Sequence, residues 1–243
     1  MTDIFGKALL DYQSGNYKDD IITYSSLDEQ DILVLPYLFR TYGNMPVLEQ
    51  KALQLCRGKV LDIGCGAGPH ALYLQERGVD VTGLDISPGA IATCTARGLK
   101  KTMTGSIFDI DGMKFDTILL LMNGIGVAGS LSDLHRFFVQ IKLLLEPGGQ
   151  ILLDSSDIIY MFDDGEAGTD KAFRMEQREN GNIENYHGEV TFILEYKGQK
   201  SRPFKWLYLD YRTLSLEAGR HHLNCDLLVK GEHYDYLARL SMA

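Results

Sequence analysis

The sequence predicts an α/β protein with a doubly wound, mostly parallel seven-stranded sheet, an antiparallel closing hairpin, N-terminal helices and a small β-rich insertion. From Val60 onward, short β-branched or leucine-rich runs alternate with helical patterns at a period of roughly thirty residues, which is typical of βαβ units. The near-continuous apolar run at 115–122 indicates a central strand that is covered on both faces. A chain of 243 residues with 45% hydrophobic content is long enough to bury such a sheet.

The elements of the sheet follow from local signals, taken in chain order. A strand at 60–63 runs into a glycine-rich loop and a helix at 71–77, which ends at the C-cap residue Gly78. A second strand at 79–84 precedes Ser87 and Pro88, an N-cap and a helix-starting proline. A weak strand at 102–104 and the strong strand at 115–122 come next. An amphipathic helix then begins near Ser132, stops at the Pro147 turn and leads to a strand at 151–153.

The segments on either side of this pattern differ from it. Residues 3–56 favour helices, including one at 46–55, and we interpret 1–56 as an N-terminal helical cap. In residues 157–203, acidic and glycine-rich turns at 163–165 and 180–182 separate alternating stretches such as 190–196, which predicts an antiparallel insertion. A helix at 208–219 and a closing hairpin of 223–228 with 234–240 complete a core domain of residues 57–156 and 204–243.

Composition narrows the possible partners. With 24 basic and 33 acidic side chains the net charge is −9, which disfavours binding to nucleic acid. The first residues lack the pattern of a signal peptide, and no run approaches the roughly 18 apolar residues of a membrane span. We therefore expect a cytoplasmic protein without a membrane partner. The four cysteines and six histidines show no metal-binding spacing, which predicts reduced thiols and no metal; the sequence does not predict an oligomeric state.

The stretch KVLDIGCGAGPH at 59–70 predicts a ligand-binding loop between a strand and a helix. Its glycines, Gly64, Gly66 and Gly68, alternate, whereas a dinucleotide loop needs its third glycine at position 69, where this chain has proline. Asp62 stands two residues before the first glycine, where a carboxylate would repel phosphate and attract a cationic amine. The loop therefore predicts a ligand with positive charge and argues against a nicotinamide dinucleotide.

A second acid completes this interpretation. Asp85 ends the second strand about twenty residues after the first glycine, where a carboxylate can accept hydrogen bonds from both ribose hydroxyls. A nucleoside with a cationic amino-acid tail, as in S-adenosylmethionine, satisfies both acids. The stretches VLDIGCGAG, VTGLDIS and LEPGGQILLDSS resemble the motifs of the class I S-adenosylmethionine-dependent methyltransferases, a Rossmann-like superfamily, over residues 60–153. The alternative is that the glycines only form a tight turn and the two acids only cap neighbouring segments.

The resemblance implies S-adenosylmethionine as cofactor and a set of cofactor-binding residues: Asp62, Gly64, Cys65, Gly66, Gly68, Asp85, Ile86, Ser106, Ile107, Met122 and Asn123. Ser106 occupies the place where relatives usually carry an acid that binds the adenine amino group, and Asp109 is the competing candidate, with a role as a loop or cap residue as its alternative. Asn123 either binds substrate or cofactor, or simply tolerates a turn. No catalytic residue is predicted.

Several further histidine, arginine and tyrosine residues are also candidates. We interpret His70 as a partly exposed helical histidine, with a ligand-facing role as the alternative. Arg40 or Tyr42 is a candidate for the methionine carboxylate or the acceptor, although an ordinary solvated charge is the favoured interpretation of Arg40. Six tyrosines either line an aromatic acceptor pocket beside the sulfonium or pack in the core: Tyr186, Tyr196, Tyr208, Tyr211, Tyr234 and Tyr236.

The function predicted by the resemblance is methyl transfer from S-adenosylmethionine to a small molecule. Such a transfer needs the nucleophile to be aligned with the methyl group, and a general base only where a proton must leave during attack. The N-terminal helices and the insertion are expected to form the acceptor side. A non-catalytic S-adenosylmethionine-binding module, a protein methyltransferase and a nicotinamide-dependent oxidoreductase are the alternatives.

Overall fold

The computed structural model describes residues 3–162 and 186–243. Its helices and strands are, in chain order, α1 Ile4–Gln13, β1 Ile21–Ser25, β2 Gln30–Leu33, α2 Leu35–Leu38, α3 Val47–Leu55, β3 Lys59–Ile63, α4 Pro69–Glu76, β4 Asp80–Asp85, α5 Pro88–Ala96, β5 Thr102–Thr104, β6 Phe115–Leu120, α6 Leu134–Leu143, β7 Leu145–Ser156, β8 Glu189–Tyr196, β9 Gln199–Lys200, β10 Phe204–Leu207, α7 Tyr211–Arg220, β11 Leu223–Lys230 and β12 Asp235–Met242. Short 3₁₀ turns occur at Tyr42–Asn44, Ile107–Asp109, Gly124–Ala128, Leu131–Asp133 and Ile159–Phe162.

The main sheet has seven strands in the order β11-β12-β7-β6-β3-β4-β5. The five strands from β7 to β5 are parallel, whereas β12 runs antiparallel to β7 and β11 antiparallel to β12. The predicted α/β fold class, with its mostly parallel sheet and closing hairpin, is confirmed. Strand β3 is the middle one of the five parallel strands, and the chain order reverses between β3 and β6. The loop that follows β3 therefore opens at this reversal, which is the usual ligand crevice of such sheets.

The sheet is covered by helices on both faces, which explains its continuous apolar strands. Within β3, Leu61 packs into the cluster that contains Phe137 and Phe138 of α6, whereas Val60 packs into the cluster that contains Leu74 of α4. All five side chains are almost fully buried. Successive residues of a strand point to opposite faces, so a strand that is buried on both faces must be apolar throughout.

A second sheet lies outside this domain and corrects part of the prediction. It has the order β10-β8-β1-β2, with β9 paired to β8, and all its pairs are antiparallel. The N-terminal segment was predicted to be helical, but residues 21–25 and 30–33 form a hairpin that pairs with β8. β1 forms a strand because it pairs with β8, which is about 170 residues away in sequence; Tyr24, for example, is paired with Ile193. A signal local to β1 could not show this pairing. The predicted turns at 163–165 and 180–182 lie outside the described residues.

Helix α1 ties the N-terminal segment to the main domain. Asp3, the N-cap of α1, accepts hydrogen bonds from the Gly6 N–H at 2.8 Å, the Ser87 hydroxyl at 2.7 Å and the Gly89 N–H at 2.9 Å. Because Gly6 and Gly89 both lack a side chain, the two helices approach backbone to backbone. Helix α1 therefore crosses the start of α5, beside the glycine loop. None of the helices in residues 3–162 and 186–243 is long and apolar enough to cross a membrane.

Candidate active site

The glycine loop connects β3 to α4 with its outer face open. Gly64 and Gly66 have φ angles of 71° and 55°, which favour glycine. A Cβ on Gly64 would lie 4.0 Å from Val127, and one on Gly66 would lie 3.7 Å from the ring of Phe5, so a ligand can approach both backbones. Gly68 differs, because a Cβ there would come within 2.9 Å of the Cys94 sulfur. Its lack of a side chain serves the packing of the loop on α5.

Cys65 points away from the open face of the loop. Its side chain is buried, and its sulfur lies 3.8 Å from that of Cys94. The hydrogen bond with the Cys94 thiol, together with burial, raises the pKa of Cys65 well above its ordinary value, so the thiol is protonated. What Cys65 offers at the open side of the loop is its backbone.

Asp62 is buried beneath the loop with an unused acceptor. Its side chain is 2% exposed, and its Oδ2 has no hydrogen-bond partner among the described residues. Burial raises its pKa to about 6, and the charges of Asp85 and Glu49 act in the same direction, while His70 and the Ala71 backbone N–H oppose the shift. A buried carboxylate without a partner is costly, so this position suits a cationic donor supplied by a ligand.

Asp85 holds the loop and the next helix together. Its Oδ2 accepts the Gly66 N–H at 2.9 Å, and its Oδ1 accepts the Ser87 N–H at 2.9 Å. Burial raises its pKa, and these two hydrogen bonds act in the opposite direction. Ile86, the next residue, is 76% exposed, which leaves an apolar side chain free beside the carboxylate.

The segment after β5 places Ser106 and Asp109 in one capping box. The Ser106 hydroxyl accepts the Phe108 N–H at 3.3 Å, and the Asp109 carboxylate accepts the Ser106 N–H at 3.3 Å. Both side chains therefore hold the short 3₁₀ turn Ile107–Asp109, which is the capping role that the sequence left open for Asp109. Ile107 is buried in the main core.

The turn after β6 has a strained backbone and is held by hydrogen bonds to a side chain of β7. Met122 and Asn123 have φ angles of 65° and 55°, in the left-handed region that non-glycine residues rarely adopt. Asp154 of β7 accepts the Met122 N–H and the Gly124 N–H, each at 3.1 Å. The Asn123 Oδ1 is buried and has no partner within the described part of the chain. Asp154 is buried as well, and burial raises its pKa to about 7.

A buried ionic cluster joins the N-terminal segment to the first turn of α4. Arg40 donates to both carboxylate oxygens of Glu49 at 2.6 Å, and the His70 Nε2 lies 2.8 Å from Glu49 Oε2. All three side chains are buried. Burial alone would raise the pKa of Glu49, but the hydrogen bonds and charges of His70 and Arg40 together hold it below its ordinary value. The interpretations of Arg40 as a solvated charge and of His70 as partly exposed were wrong.

Sequence reasoning missed Glu49 and Asp154 as members of this site. Asp154 ends an apolar strand, which is the same signal that identified Asp62. Glu49 carried no local signal, because its partners lie 9 and 21 residues away from it in sequence. Tyr42 stacks on Tyr73 at a centroid distance of 4.2 Å, and its hydroxyl accepts a hydrogen bond from Gln54, so its contacts are local packing.

Most of the candidate tyrosines have structural partners. The hydroxyls of four of them lie within hydrogen-bond distance of Asp210 (Tyr186), Asp11 (Tyr196), the Cys225 carbonyl (Tyr211) and the Leu209 carbonyl (Tyr236). Tyr234 stacks on Tyr160 at 5.3 Å, and Tyr208 lies against Phe192 at 6.4 Å. Tyr208 belongs to a group of neighbouring rings that also includes Trp206, which packs on Gly126 in the turn after β6.

The fold and this site together define an α/β protein whose glycine loop opens at the ligand crevice of the sheet, with the buried carboxylates of Asp62 and Asp85 beside it. A family model described as a methyltransferase domain matches residues 60–149. A crystal structure of an S-adenosylmethionine-dependent methyltransferase from Bacteroides fragilis, in complex with S-adenosyl-L-homocysteine, is 40% identical, with a TM-score of 0.88, and the match covers 99% of this chain and 95% of that one. The chain belongs to the S-adenosylmethionine-dependent methyltransferases. The predicted family and cofactor are confirmed.

Two further relatives match a smaller share of the chain. A 2-heptyl-1-hydroxyquinolin-4(1H)-one methyltransferase of Mycobacteroides abscessus is 43% identical over 53 residues, 22% of this chain and 23% of the relative. Ribosomal RNA small subunit methyltransferase H of Anaeromyxobacter is 31% identical over 150 residues, 60% of this chain and 48% of the relative. The chain spans about two fifths or less of the length of the first curated relatives that it matches.

Proposed function

We propose that the protein transfers a methyl group from S-adenosylmethionine to a small-molecule acceptor. The observation that carries this proposal is the buried Oδ2 of Asp62, which has no hydrogen-bond partner among the described residues and lies below an open glycine loop. A bound α-amino group would supply the missing donor and neutralise the buried charge. Phosphate at the same place would add a second negative charge beside the first, which is why the site supports S-adenosylmethionine over a dinucleotide.

The other site residues bind the remaining parts of the cofactor. Gly64, Cys65, Gly66 and Gly68 present the loop backbone to the amino-acid part. The Asp85 carboxylate accepts the ribose hydroxyls through lone pairs that its two backbone bonds leave free. Adenine lies between the exposed Ile86 and the segment of Ser106 and Ile107, and the backbone of Met122 and Asn123 closes the site from the β6 side.

The chemistry requires alignment more than proton transfer. When bound, S-adenosylmethionine supplies a methyl group that is already activated by its sulfonium. The protein's part is to hold acceptor and cofactor in line and to exclude water. The clamp of Asp154 on the Met122 and Gly124 N–H groups fixes the turn that lies between the two. A fixed turn keeps the acceptor aligned with the methyl group in each catalytic cycle.

The acceptor side is assigned to the N-terminal segment and the insertion at 157–203, which meet in the second sheet. This sheet pairs β1 with β8 and packs above the loop side of the main domain. Two relatives are named for a hydroxyquinolinone and for ribosomal RNA, so their names do not select one acceptor class. The net charge of −9 favours the small molecule over RNA.

The proposal is tested with S-adenosylmethionine that carries a tritiated methyl group. The protein is incubated with a metabolite extract and, separately, with a protein extract, and Asp62→Asn, whose cofactor binding is impaired, serves as the matched control. Label in the small-molecule fraction that depends on Asp62 supports the proposal. Label only in protein identifies a protein methyltransferase. Tight binding of S-adenosylhomocysteine without label in either fraction indicates a non-catalytic module, and each of these last two results would overturn the small-molecule assignment.

A further inference from the structure

Four aromatic side chains form a continuous row on one face of the second sheet: Phe192, Phe204, Trp206 and Tyr208. Phe192 and Phe204 are directly opposite each other on β8 and β10, with ring centroids 6.2 Å apart. Trp206 lies 6.4 Å from Phe204, and Tyr208 lies 6.4 Å from Phe192. We call these four residues the aromatic row. None of them is fully buried, and Phe204 is exposed.

The aromatic row faces the cofactor side of the main domain. Leu194 and Tyr196 follow Phe192 on the same face of β8 and pack in one cluster with Ala67 of the glycine loop and with Met122. At the other end, the Trp206 ring packs on Gly126, in the turn that follows Asn123. Val127 of the same turn is the nearest side chain to the open face of Gly64. The aromatic row is therefore separated from the methyl-donor loop by a single turn of chain.

The buried charges near the aromatic row limit which compounds can bind there. Beside Tyr208, the buried charged or titratable side chains of the described residues are Asp210 and His187, and the His187 Nε2 already lies 2.9 Å from Asp157 Oδ1. Around the glycine loop and the turn after β6 they are four acids and two bases: Glu49, Asp62, Asp85, Asp154, Arg40 and His70. Both bases are already hydrogen-bonded to Glu49. An acceptor with a carboxylate or phosphate would add to the negative charge without gaining a free buried cation there. A neutral or cationic compound would not incur this repulsion.

We propose that the aromatic row binds a planar aromatic acceptor that carries an amine or hydroxyl nucleophile and no acidic group, and that the Asn123 side chain receives a hydrogen of that nucleophile. This inference rests on the proposed methyltransferase function and specifies its acceptor. Planar rings stack on aromatic side chains, and the Oδ1 of Asn123, which no other described residue bonds, accepts an N–H or O–H. The strained conformation of Asn123 fits a side chain placed for a ligand.

The transfer balances with these groups alone. The nucleophile's lone pair forms the bond to the methyl carbon while the carbon–sulfur bond breaks, and that electron pair remains on sulfur as the neutral thioether. An amine becomes an ammonium group and afterwards releases the hydrogen held by Asn123 as a proton to water, whereas a hydroxyl releases that proton to water as the new bond forms. Asn123 orients the lone pair and neither gains nor loses a proton.

The test measures the binding of three matched naphthalenes to protein saturated with S-adenosylhomocysteine, by titration calorimetry. We expect 1-naphthol and 1-aminonaphthalene to bind, and 1-naphthoate, with the same ring and a negative charge, to bind at least about tenfold more weakly. Trp206→Ala should weaken naphthol binding roughly tenfold, equivalent to about 1.4 kcal/mol, and Trp206→Phe should recover most of it. Lys205→Ala, on the opposite face of β10, should change nothing. Asn123→Gly, which retains the left-handed backbone, should weaken naphthol several-fold.

S-adenosylhomocysteine affinity separates the possible failures. If that affinity is absent in the unaltered protein, the proposed function itself fails. If it is intact in every variant, the proposal is overturned by any of three results: neither naphthol nor aminonaphthalene binds, naphthoate binds as tightly as naphthol, or Trp206→Ala leaves naphthol affinity unchanged. Equal loss with Lys205→Ala would show a general loosening of the strand and would also overturn it.

Discussion

Replacing Asp62 with asparagine should stabilise the ligand-free protein and impair cofactor binding. Burial raises the pKa of Asp62 from an ordinary 3.8 to about 6. A shift of about two units corresponds to roughly 3 kcal/mol, which is the order of the cost of keeping this carboxylate ionised in the fold. Because the pKa is raised on folding, the stabilisation from the protonated form is present below about pH 4 and is lost as the pH rises through about 6.

Asparagine does not titrate, so the stability difference between Asp62→Asn and the unaltered protein should depend on pH. Urea unfolding of the ligand-free proteins should show little difference near pH 4 and a gain for the variant that approaches roughly 3 kcal/mol at pH 8. Calorimetry at pH 8 should show S-adenosylhomocysteine affinity reduced by about 1.5 to 3 kcal/mol, as expected for a lost charged hydrogen bond. Asp80→Asn, at the half-exposed start of β4, is the matched control. A variant that is less stable at pH 8 and binds equally tightly would refute this account of Asp62.

Other substitutions test the remaining parts of the site. Asp85→Asn should weaken S-adenosylhomocysteine binding by roughly 1 to 3 kcal/mol in calorimetry, and an unchanged affinity would make this acid purely structural. Glu49→Gln leaves Arg40 buried without its counter-charge, so urea unfolding should show a loss of roughly 3 to 5 kcal/mol, and a loss below about 1 kcal/mol would contradict the ion pair's role. Ser106→Ala should lower cofactor affinity modestly. If Asp109→Ala lowers it instead, the adenine contact belongs to Asp109.

The main sheet was predictable because its signals are local. Strands β3 and β4 are each followed by a loop and a helix with recognisable starting signals, as at Ser87 and Pro88, and β6 is a near-continuous apolar run. The hairpin of β1 and β2 was not predictable in the same way. Its strands are short, their outer residues are polar or exposed, and their register is set by β8 near the other end of the chain. Pairing between distant segments overrides a weak local preference.

The residues of the candidate site also differ in whether local sequence signals can predict them. Asp62 and Asp85 could be identified because each acid lies at the end of an apolar strand, at the edge of the sheet where the glycine loop opens. An acid at that edge favours ligand binding over core packing. The cluster of Arg40, Glu49 and His70 depends on three segments meeting, and each residue alone resembles an ordinary surface charge. Burial, rather than sequence spacing, distinguishes them.

The central claim is that the glycine loop binds the amino-acid tail of a nucleoside and rejects phosphate. The most direct measurement is a calorimetric titration of the unaltered protein with S-adenosylhomocysteine and, separately, with NADH. We expect S-adenosylhomocysteine to bind at one site per chain and NADH to give no saturable heat. Saturable binding of NADH that S-adenosylhomocysteine displaces, or that occurs in its place, would contradict the claim.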